Sequence, residues 1–140
     1  NFYKEIIPNQ AGKNCYSRSI QFHIFWTITD MTQDLLTQLQ AGKIHFSDVL
    51  AHIEALYQHT PTAFSNGQQH NAASENQGSA KVFAFAQLNH FDQAQTLSLF
   101  AEHYAAVLAT PDGVDHQNIR QFMQHGWSGI QFDGSALTAK

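Results

Sequence analysis

Apolar residues recur at helical spacing along most of the chain from Met31 onward. The clearest stripe follows Gly42 and consists of Phe46, Val49, Leu50, Ile53, Leu56 and Tyr57. Spacings of i, i+3, i+4 and i+7 place side chains on one face of a helix with 3.6 residues per turn. The pattern therefore predicts an amphipathic helix. This helix should end at Thr60, because Pro61 disfavours helical backbone in the residue before it.

Further stripes predict helices on both sides of this one. Residues 32–42, 92–110 and 115–126 each carry apolar residues three or four positions apart. Asp92, with Gln95 three residues later, forms the capping box that is typical of a helix start. Glycine or proline follows each stripe, as expected at helix ends.

The segment Lys81–Leu88, KVFAFAQL, is almost wholly apolar and fits two structures. As a strand it would alternate between two faces, and as a helix it would be buried on all sides. Its two alanines favour a helix, and Ser79 is a suitable N-cap. We predict a buried helix that forms the centre of the fold. If the segment were instead a strand, the fold class would be α+β.

A polar stretch from Asn66 to Ser79 precedes this segment. It is rich in Asn, Gln, Ser and Gly, and it begins with the turn dipeptide formed by Asn66 and Gly67. Loops of this length are uncommon in compact domains unless they are functional or disordered. We therefore predict one long polar loop and expect any functional site to lie on it.

Together these elements predict an all-α fold, a single-domain helical bundle of about five helices with one long polar loop. The apolar tail formed by residues 127–132 would lie across the bundle as a short extended piece. The domain is predicted to span residues 31–140, because Met31 with a helix directly behind it resembles a translation start. Residues 1–30 are interpreted as an N-terminal extension that is non-native, disordered or packed on the domain as an apolar arm.

The composition fits one folded domain and argues against two classes of partner. A chain of 140 residues, 43% of them hydrophobic, is long enough for one core. Its formal net charge is −4, and its cations after Met31 are scattered. No basic stripe is therefore present to bind nucleic acid or an anionic membrane surface. No apolar run approaches the roughly 20 residues of a membrane span. The single cysteine, Cys15, excludes an internal disulfide, which fits a cytoplasmic location.

No motif predicts catalysis, a cofactor or a metal. His45, His52 and His59 lie seven residues apart, which is about 10 Å along a helix and too far for neighbours to share one ion. The HExxH spacing of a zinc helix does not occur. Neither a GxSxG nucleophile elbow nor a phosphate-binding glycine motif is present. We therefore predict no catalytic residue, no cofactor and no metal site, and favour a protein that is not an enzyme.

Four residues are candidates for binding a ligand or a partner: Asn66, Asn71, His116 and Arg120. His116 and Arg120 lie one turn apart at the start of the last helix, where a guanidinium fork and a helix N-terminus suit an anionic group. In the alternative, Arg120 pairs with Asp115 or with a carbonyl of the long polar loop and fixes that loop in place. The two asparagines could bind a ligand or satisfy the backbone of their own loop.

Five stretches of the chain carry a resemblance to a known family: TPTAFSNG at 60–67, GSAKVFAFAQL at 78–88, TLSLF at 96–100, DHQNIRQFM at 115–123 and HGWSGIQF at 125–132. In these stretches the chain resembles the HopJ family of type III effector proteins, over about residues 31–140. The resemblance implies secretion into a host cell by a type III system. It implies no particular biochemical activity, and it does not extend to the residues before Met31.

Three functions are compatible with the sequence. The first is a non-enzymatic domain that binds an unidentified protein partner through the long loop and the edge formed by His116 and Arg120. The second is a small-ligand or enzymatic site between the loop and the last helix. It requires a pocket with two or more polar side chains free of structural contacts, and it would be excluded if Trp127 or Phe64 filled that gap. The third is an accessory subunit that docks onto a larger assembly through its N-terminal extension.

Overall fold

The computed structural model describes residues 28–140, with side chains from Met31 onward. Residues 35–140 form one compact unit. The sequence predicted an N-terminal extension over residues 1–30. Residues 1–27 of that extension lie outside the described residues. No helix among the described residues is long and apolar enough to cross a membrane.

Six α-helices and one 3₁₀ turn lie within the described part of the chain. They are α1 (Ile28–Gln40), α2 (Phe46–Leu56), α3 (Gln77–Leu88), α4 (Gln93–Ser98), α5 (Glu102–Ala109), α6 (Gln117–His125) and the 3₁₀ turn Gly126–Gly129. The predicted capping box of α4 is confirmed. Asp92 Oδ1 accepts the N–H of Gln95 at 2.8 Å, and Gln95 Oε1 accepts the N–H of Asp92 at 3.0 Å.

Five short strands form two antiparallel sheets. They are β1 (Tyr57–His59), β2 (Phe64–Asn66), β3 (Gln69–Asn71), β4 (Ile130–Phe132) and β5 (Leu137–Ala139). One sheet pairs β1 with β5, and Tyr57 lies opposite Ala139. The other sheet has the order β3-β2-β4. In it Phe64 of the middle strand lies opposite Asn71 on one side and Phe132 on the other.

The prediction of an all-α fold is wrong, because these two sheets make the protein a mixed α+β structure. The predicted long loop contains the β2–β3 turn, β3 and the first turn of α3, and the apolar tail contains β4. Each strand has three residues, too few to show the alternation by which a strand is identified in a sequence. Phe64 stacks on Phe132 across β2 and β4, with ring centroids 5.2 Å apart. This contact between distant segments stabilises a sheet that local patterns do not reveal.

α3 lies at the centre of the core. The helix prediction for Lys81–Leu88 is confirmed, although α3 begins at Gln77, ahead of the predicted cap at Ser79. Residues 82–86 are all buried, as expected for a helix that is apolar on every side. Phe83 contacts four other aromatic rings, those of Phe64, Phe100, Phe122 and Trp127. Burial of such a side chain contributes about 1.5–3 kcal/mol.

The residues predicted as one helix between 92 and 110 form two, α4 and α5. The break lies at Ala101, which has φ 51° and ψ −122°, a backbone conformation that a residue with a Cβ rarely adopts. Leu99 and Phe100, directly before the break, are both buried. After it, His103 of α5 contacts His116 at the start of α6. The break therefore allows Leu99 and Phe100 to pack in the core while His103 lies beside the start of α6.

Candidate functional site

Both candidate asparagines lie inside the protein. Asn66 and Asn71, at the ends of β2 and β3, are 0% and 3% exposed. Asn66 Nδ2 donates to the backbone oxygen of Asn118 at 2.7 Å and to its Oδ1 at 3.1 Å. Asn71 Nδ2 donates to the backbone oxygen of Phe64 at 3.3 Å and to Asn118 Oδ1 at 3.1 Å. These side chains hold the β2–β3 hairpin against α6.

Asn118, which the sequence did not single out, joins the two. It is buried, its Nδ2 donates to Asn71 Oδ1 at 3.0 Å, and Asn76 Nδ2 donates to the same oxygen at 2.7 Å. Asn118 lies four residues before Phe122 on the inward face of α6. The signal in the sequence that could have identified Asn118 was a polar residue among the inward-facing positions of α6. We refer to Asn66, Asn71, Asn76 and Asn118 as the asparagine cluster.

Arg120 binds the loop that precedes its own helix. Its Nε donates to the backbone oxygen of Asp115 at 2.6 Å, and its Nη2 donates to Asp115 Oδ1 at 2.7 Å. Its Nη1 donates to the backbone oxygen of Thr110 at 2.8 Å. Only 12% of the Arg120 side chain is exposed. Arg120 therefore pairs with Asp115, as the structural alternative predicted. The loop that it fixes, however, is the one between α5 and α6 and not the long polar loop of that alternative.

A cavity of about 340 Å³ lies where β3, α3, α5 and α6 meet. Its apolar side is formed by Phe46, Phe100 and Ile119. The rings of Phe46 and Phe100 are stacked, with centroids 5.8 Å apart and an angle of 9° between their planes. The polar side is formed by Gln69, Asn76, Ser79, His103, His116, Gln117 and Asn118. We refer to it as the histidine cavity.

His103 and His116 meet ring to ring in this cavity. Their centroids are 5.1 Å apart and their planes lie 40° apart. His103 also packs edge-on against Phe46 at a centroid distance of 4.9 Å. Of the four candidates from the sequence, His116 is the one that lines the cavity. His103 was missed because its position depends on a contact between α5 and α6, and no local motif marks it.

Three polar side chains of the lining have no hydrogen-bond partner within residues 28–140: Ser79, His103 and His116. The N-caps of α3 and α6, Asn76 and His116, have left-handed backbone and make no side-chain capping bond. The first residues of both helices also line the cavity. A helix start carries N–H groups that no residue of the helix can accept. The cavity thus presents several hydrogen-bonding groups that the described protein does not satisfy.

Two carboxylates flank the histidines outside the lining. Burial alone would raise the pKa of Glu102, but N–H donors from Phe46, at 2.8 Å, and from Glu102 itself hold that pKa below its ordinary value. The hydrogen bond from Arg120 lowers the pKa of Asp115, and the nearby charge of His116 adds to this effect. Both carboxylates are therefore ionised at neutral pH, and both are hydrogen-bonded outside the cavity.

Trp127 and Phe64 do not fill the gap between the predicted loop and the last helix. Trp127 packs on Phe122 with ring centroids 5.0 Å apart, and its Nε1 donates to the backbone oxygen of Phe91 at 2.9 Å. Phe64 stacks on Phe132 in the sheet. Residues of the predicted loop and of α6 both line the histidine cavity, and a small-ligand or enzymatic site between them stays a prediction.

The histidines of α2 and β1 do not join this cavity. His45 is the N-cap of α2, and His59 Nε2 is 3.0 Å from Gln77 Oε1. Among residues 28–140, no three His, Cys, Asp or Glu residues are grouped so that they could hold a metal ion.

Comparisons with known proteins identify the family. A solved structure, the crystal structure of unknown function protein VPA0580, is similar to this chain with a TM-score of 0.72 and 50% sequence identity; the match covers 77% of this chain and 92% of that one. None of the curated proteins searched matches the chain. The model of the HopJ type III effector protein family matches residues 29–137. The chain therefore belongs to the HopJ type III effector protein family.

Proposed function

We propose that the protein binds a small organic molecule in the histidine cavity. The observation that carries this proposal is that Ser79, His103 and His116 face the cavity without a hydrogen-bond partner among residues 28–140. Ser79 and His103 are partly exposed and His116 is exposed, so water pairs with these groups in the absence of a ligand, and a ligand with hydrogen-bonding groups replaces that water. Three such groups, from α3, α5 and the start of α6, converge on one volume. Convergent polar groups of this kind are typical of a ligand site.

The two sides of the cavity indicate what kind of molecule fits. The half-buried ring of Phe46 and the side chain of Ile119 are apolar parts of the lining, and contact with an aromatic ring suits a planar or aromatic group. The polar residues of the lining offer hydrogen-bonding groups. A volume of about 340 Å³ lies at the lower end of the range for ligand sites, about 300–1,000 Å³. The ligand would therefore be small, with an apolar body and one polar end.

Binding is favoured over catalysis. A serine nucleophile needs a base within hydrogen-bond reach, and Ser79 is hydrogen-bonded to neither His103 nor His116. Glu102 and Asp115 are bonded to Phe46 and Arg120, away from the cavity. Within residues 28–140, no pair of groups in the cavity is thus arranged for nucleophilic attack. This supports a ligand-binding protein that is not an enzyme.

The other hypotheses have weaker support. A protein-interaction surface made of Asn66, Asn71, His116 and Arg120 would use three side chains that are hydrogen-bonded internally. The description of the family as type III effectors supports a host cell as the setting in which the ligand is met.

The test is isothermal titration calorimetry with three aromatic probes: benzoate, phenyl phosphate and benzyl alcohol. We expect at least one to bind with one-to-one stoichiometry. Ser79→Leu, which places an apolar side chain in the cavity, should weaken binding about tenfold or more. Ser74→Leu is the matched control, because Ser74 is exposed in the turn before α3 and should leave binding unchanged. Absence of binding by all three probes, or equal loss in both variants, would overturn the proposal.

A further inference from the structure

We infer that the ligand's polar end is an anion held by His103 and His116, and that its binding is coupled to proton uptake. This inference rests on the proposed function and names the chemical class of its ligand. Its basis is the contact between two imidazoles that come from different helices and share one cavity. A carboxylate and a phosphate share the relevant chemistry, and the probes below distinguish them.

The two rings are placed so that one anion can reach both. Their centroids are 5.1 Å apart, and neither ring has a hydrogen-bond partner within the described residues. The edge-on contact with Phe46 holds the His103 ring on one side. Imidazole is a donor at one nitrogen when neutral and at both when protonated. Because the rings contact each other, an anion would lie beside the edges of both rings, on the cavity side, and would accept a hydrogen bond from a nitrogen of each.

The charges around the pair favour this assignment. Among the described residues, the cavity lining contains no Lys, Arg, Asp or Glu, so the two imidazoles are the ionisable groups of this part of the lining. Two protonated rings in contact repel each other, and a bound anion offsets that repulsion. A neutral ligand has no such effect. Protonation of the pair and anion binding therefore favour each other.

Charged groups on the neighbouring elements lie near the two histidines, but they do not occupy the position proposed for the anion. On α5, Glu102 interacts electrostatically with His103 and with His45 of α2, but its Oε1 accepts the N–H of Phe46. His45 in turn lies 4.0 Å from Asp48 in the same helix. Beside α6, Asp115 interacts electrostatically with His116.

The carboxylate of Asp115 is bonded to Arg120. Both flanking carboxylates, Glu102 and Asp115, are thus bonded outside the cavity, and neither accepts a hydrogen bond from the two rings.

The direction of the pH effect follows from the chemistry. Histidine is the residue type whose charge changes between pH 5 and 8. Glu102 and Asp115 have lowered pKa values and keep their charge in that range. Anion binding should therefore strengthen as the pH falls from 8 to 6, by about tenfold per pH unit for each proton taken up.

The experiment compares benzoate, phenyl phosphate and benzyl alcohol by calorimetry between pH 6 and pH 8, in two cationic buffers of different ionisation enthalpy. We expect benzoate or phenyl phosphate to take up about one proton at pH 7, and benzyl alcohol to take up none. The variants His103→Gln and His116→Asn should each reduce the uptake and weaken anion binding at pH 6 about tenfold. Asparagine is chosen at position 116 because it tolerates the left-handed backbone there.

His70→Gln is the control, because His70 lies exposed in β3 and contacts Ser65 outside the cavity. It should leave proton uptake unchanged. Equal, pH-independent binding of benzoate and benzyl alcohol would overturn this inference and leave the proposed function standing. Loss of proton uptake in His70→Gln, with retention in His116→Asn, would overturn it as well. Failure of every probe to bind would overturn the proposed function on which it rests.

Discussion

Asn71 and Asn118 exchange hydrogen bonds through their side-chain amides. Asn71 Nδ2 donates to Asn118 Oδ1 at 3.1 Å, and Asn118 Nδ2 donates to Asn71 Oδ1 at 3.0 Å. The pair joins the end of β3 to the first turn of α6, and both side chains are buried. Because β3 and α6 each contribute to the histidine cavity, this amide pair positions two of its sides.

The first prediction concerns this pair. Asn118→Ala removes three buried hydrogen bonds, those that Asn118 Oδ1 accepts from Asn66 and Asn71 and the one that Asn118 Nδ2 donates to Asn71. We expect the free energy of unfolding to fall by about 2 kcal/mol, measured by urea denaturation. Gln124→Ala, at an exposed position of the same helix, should change it by less than about 0.5 kcal/mol. Equal effects in the two variants would show that the asparagine cluster is not important for stability.

The second prediction concerns the backbone break before α5. Ala101 has φ 51° and ψ −122°, which costs a non-glycine residue about 1–3 kcal/mol. Ala101→Gly relieves this strain, although glycine adds about 0.5–1 kcal/mol of chain entropy to the unfolded state. We expect a net gain of about 1 kcal/mol in the free energy of unfolding. Ala105→Gly, within α5, should instead cost about 1 kcal/mol. Destabilisation by both variants would refute the strained conformation.

The third prediction separates backbone strain from close packing. Gly67 and Gly42 both have left-handed backbone, with φ +58° and +70°. A Cβ at Gly42 would meet nothing within 4 Å, whereas one at Gly67 would contact the side chains of Gln121 and His125. Gly42→Ala should cost about 1 kcal/mol, and Gly67→Ala about 3 kcal/mol because a steric term is added. Thermal unfolding of the two variants gives the comparison, and a smaller loss in Gly67→Ala would contradict the tight hairpin packing.

The fourth prediction concerns acid pH. The hydrogen bond from Arg120 lowers the pKa of Asp115 below its ordinary value of 3.8. A carboxyl group with a lowered pKa in the folded state contributes stability above its ordinary pKa and loses it as the pH falls through the folded-state pKa. Asp115→Asn should therefore be less stable than the wild type near pH 6, and the difference should shrink below pH 3.8.

Asp112→Asn provides the control for this acid-pH experiment, because Asp112 is an exposed carboxylate in the same loop. Its stability should follow that of the wild type across the range. A constant difference between Asp115→Asn and the wild type from neutral to acid pH would contradict an ionic contribution from the Arg120 pair.

Local sequence patterns predicted the helices whose formation depends on their own residues. The stripe on α2, the all-apolar α3 and the capping box of Asp92 and Gln95 are each encoded within a few turns of chain. The strands were missed because each has three residues and is stabilised by distant partners, as when Phe64 stacks on Phe132. The break at Ala101 was also missed, since alanine is the strongest helix former.

The candidate site was predictable only in part. His116 was identified from its place at a helix start, and pairing of Arg120 with Asp115 was one of the two stated alternatives. His103 and Asn118 act through contacts between elements far apart in sequence, and one sequence carries no direct signal for such contacts.

The most direct test of ligand binding is a titration of ¹⁵N-labelled protein with benzoate at pH 6, followed by amide chemical shifts. Binding in the histidine cavity predicts saturable shifts that centre on Gly78, Ser79 and Gln117, which line it. Shifts that are absent, or that centre on the separate groove lined by Leu108 and Met123, would contradict a ligand site in the histidine cavity.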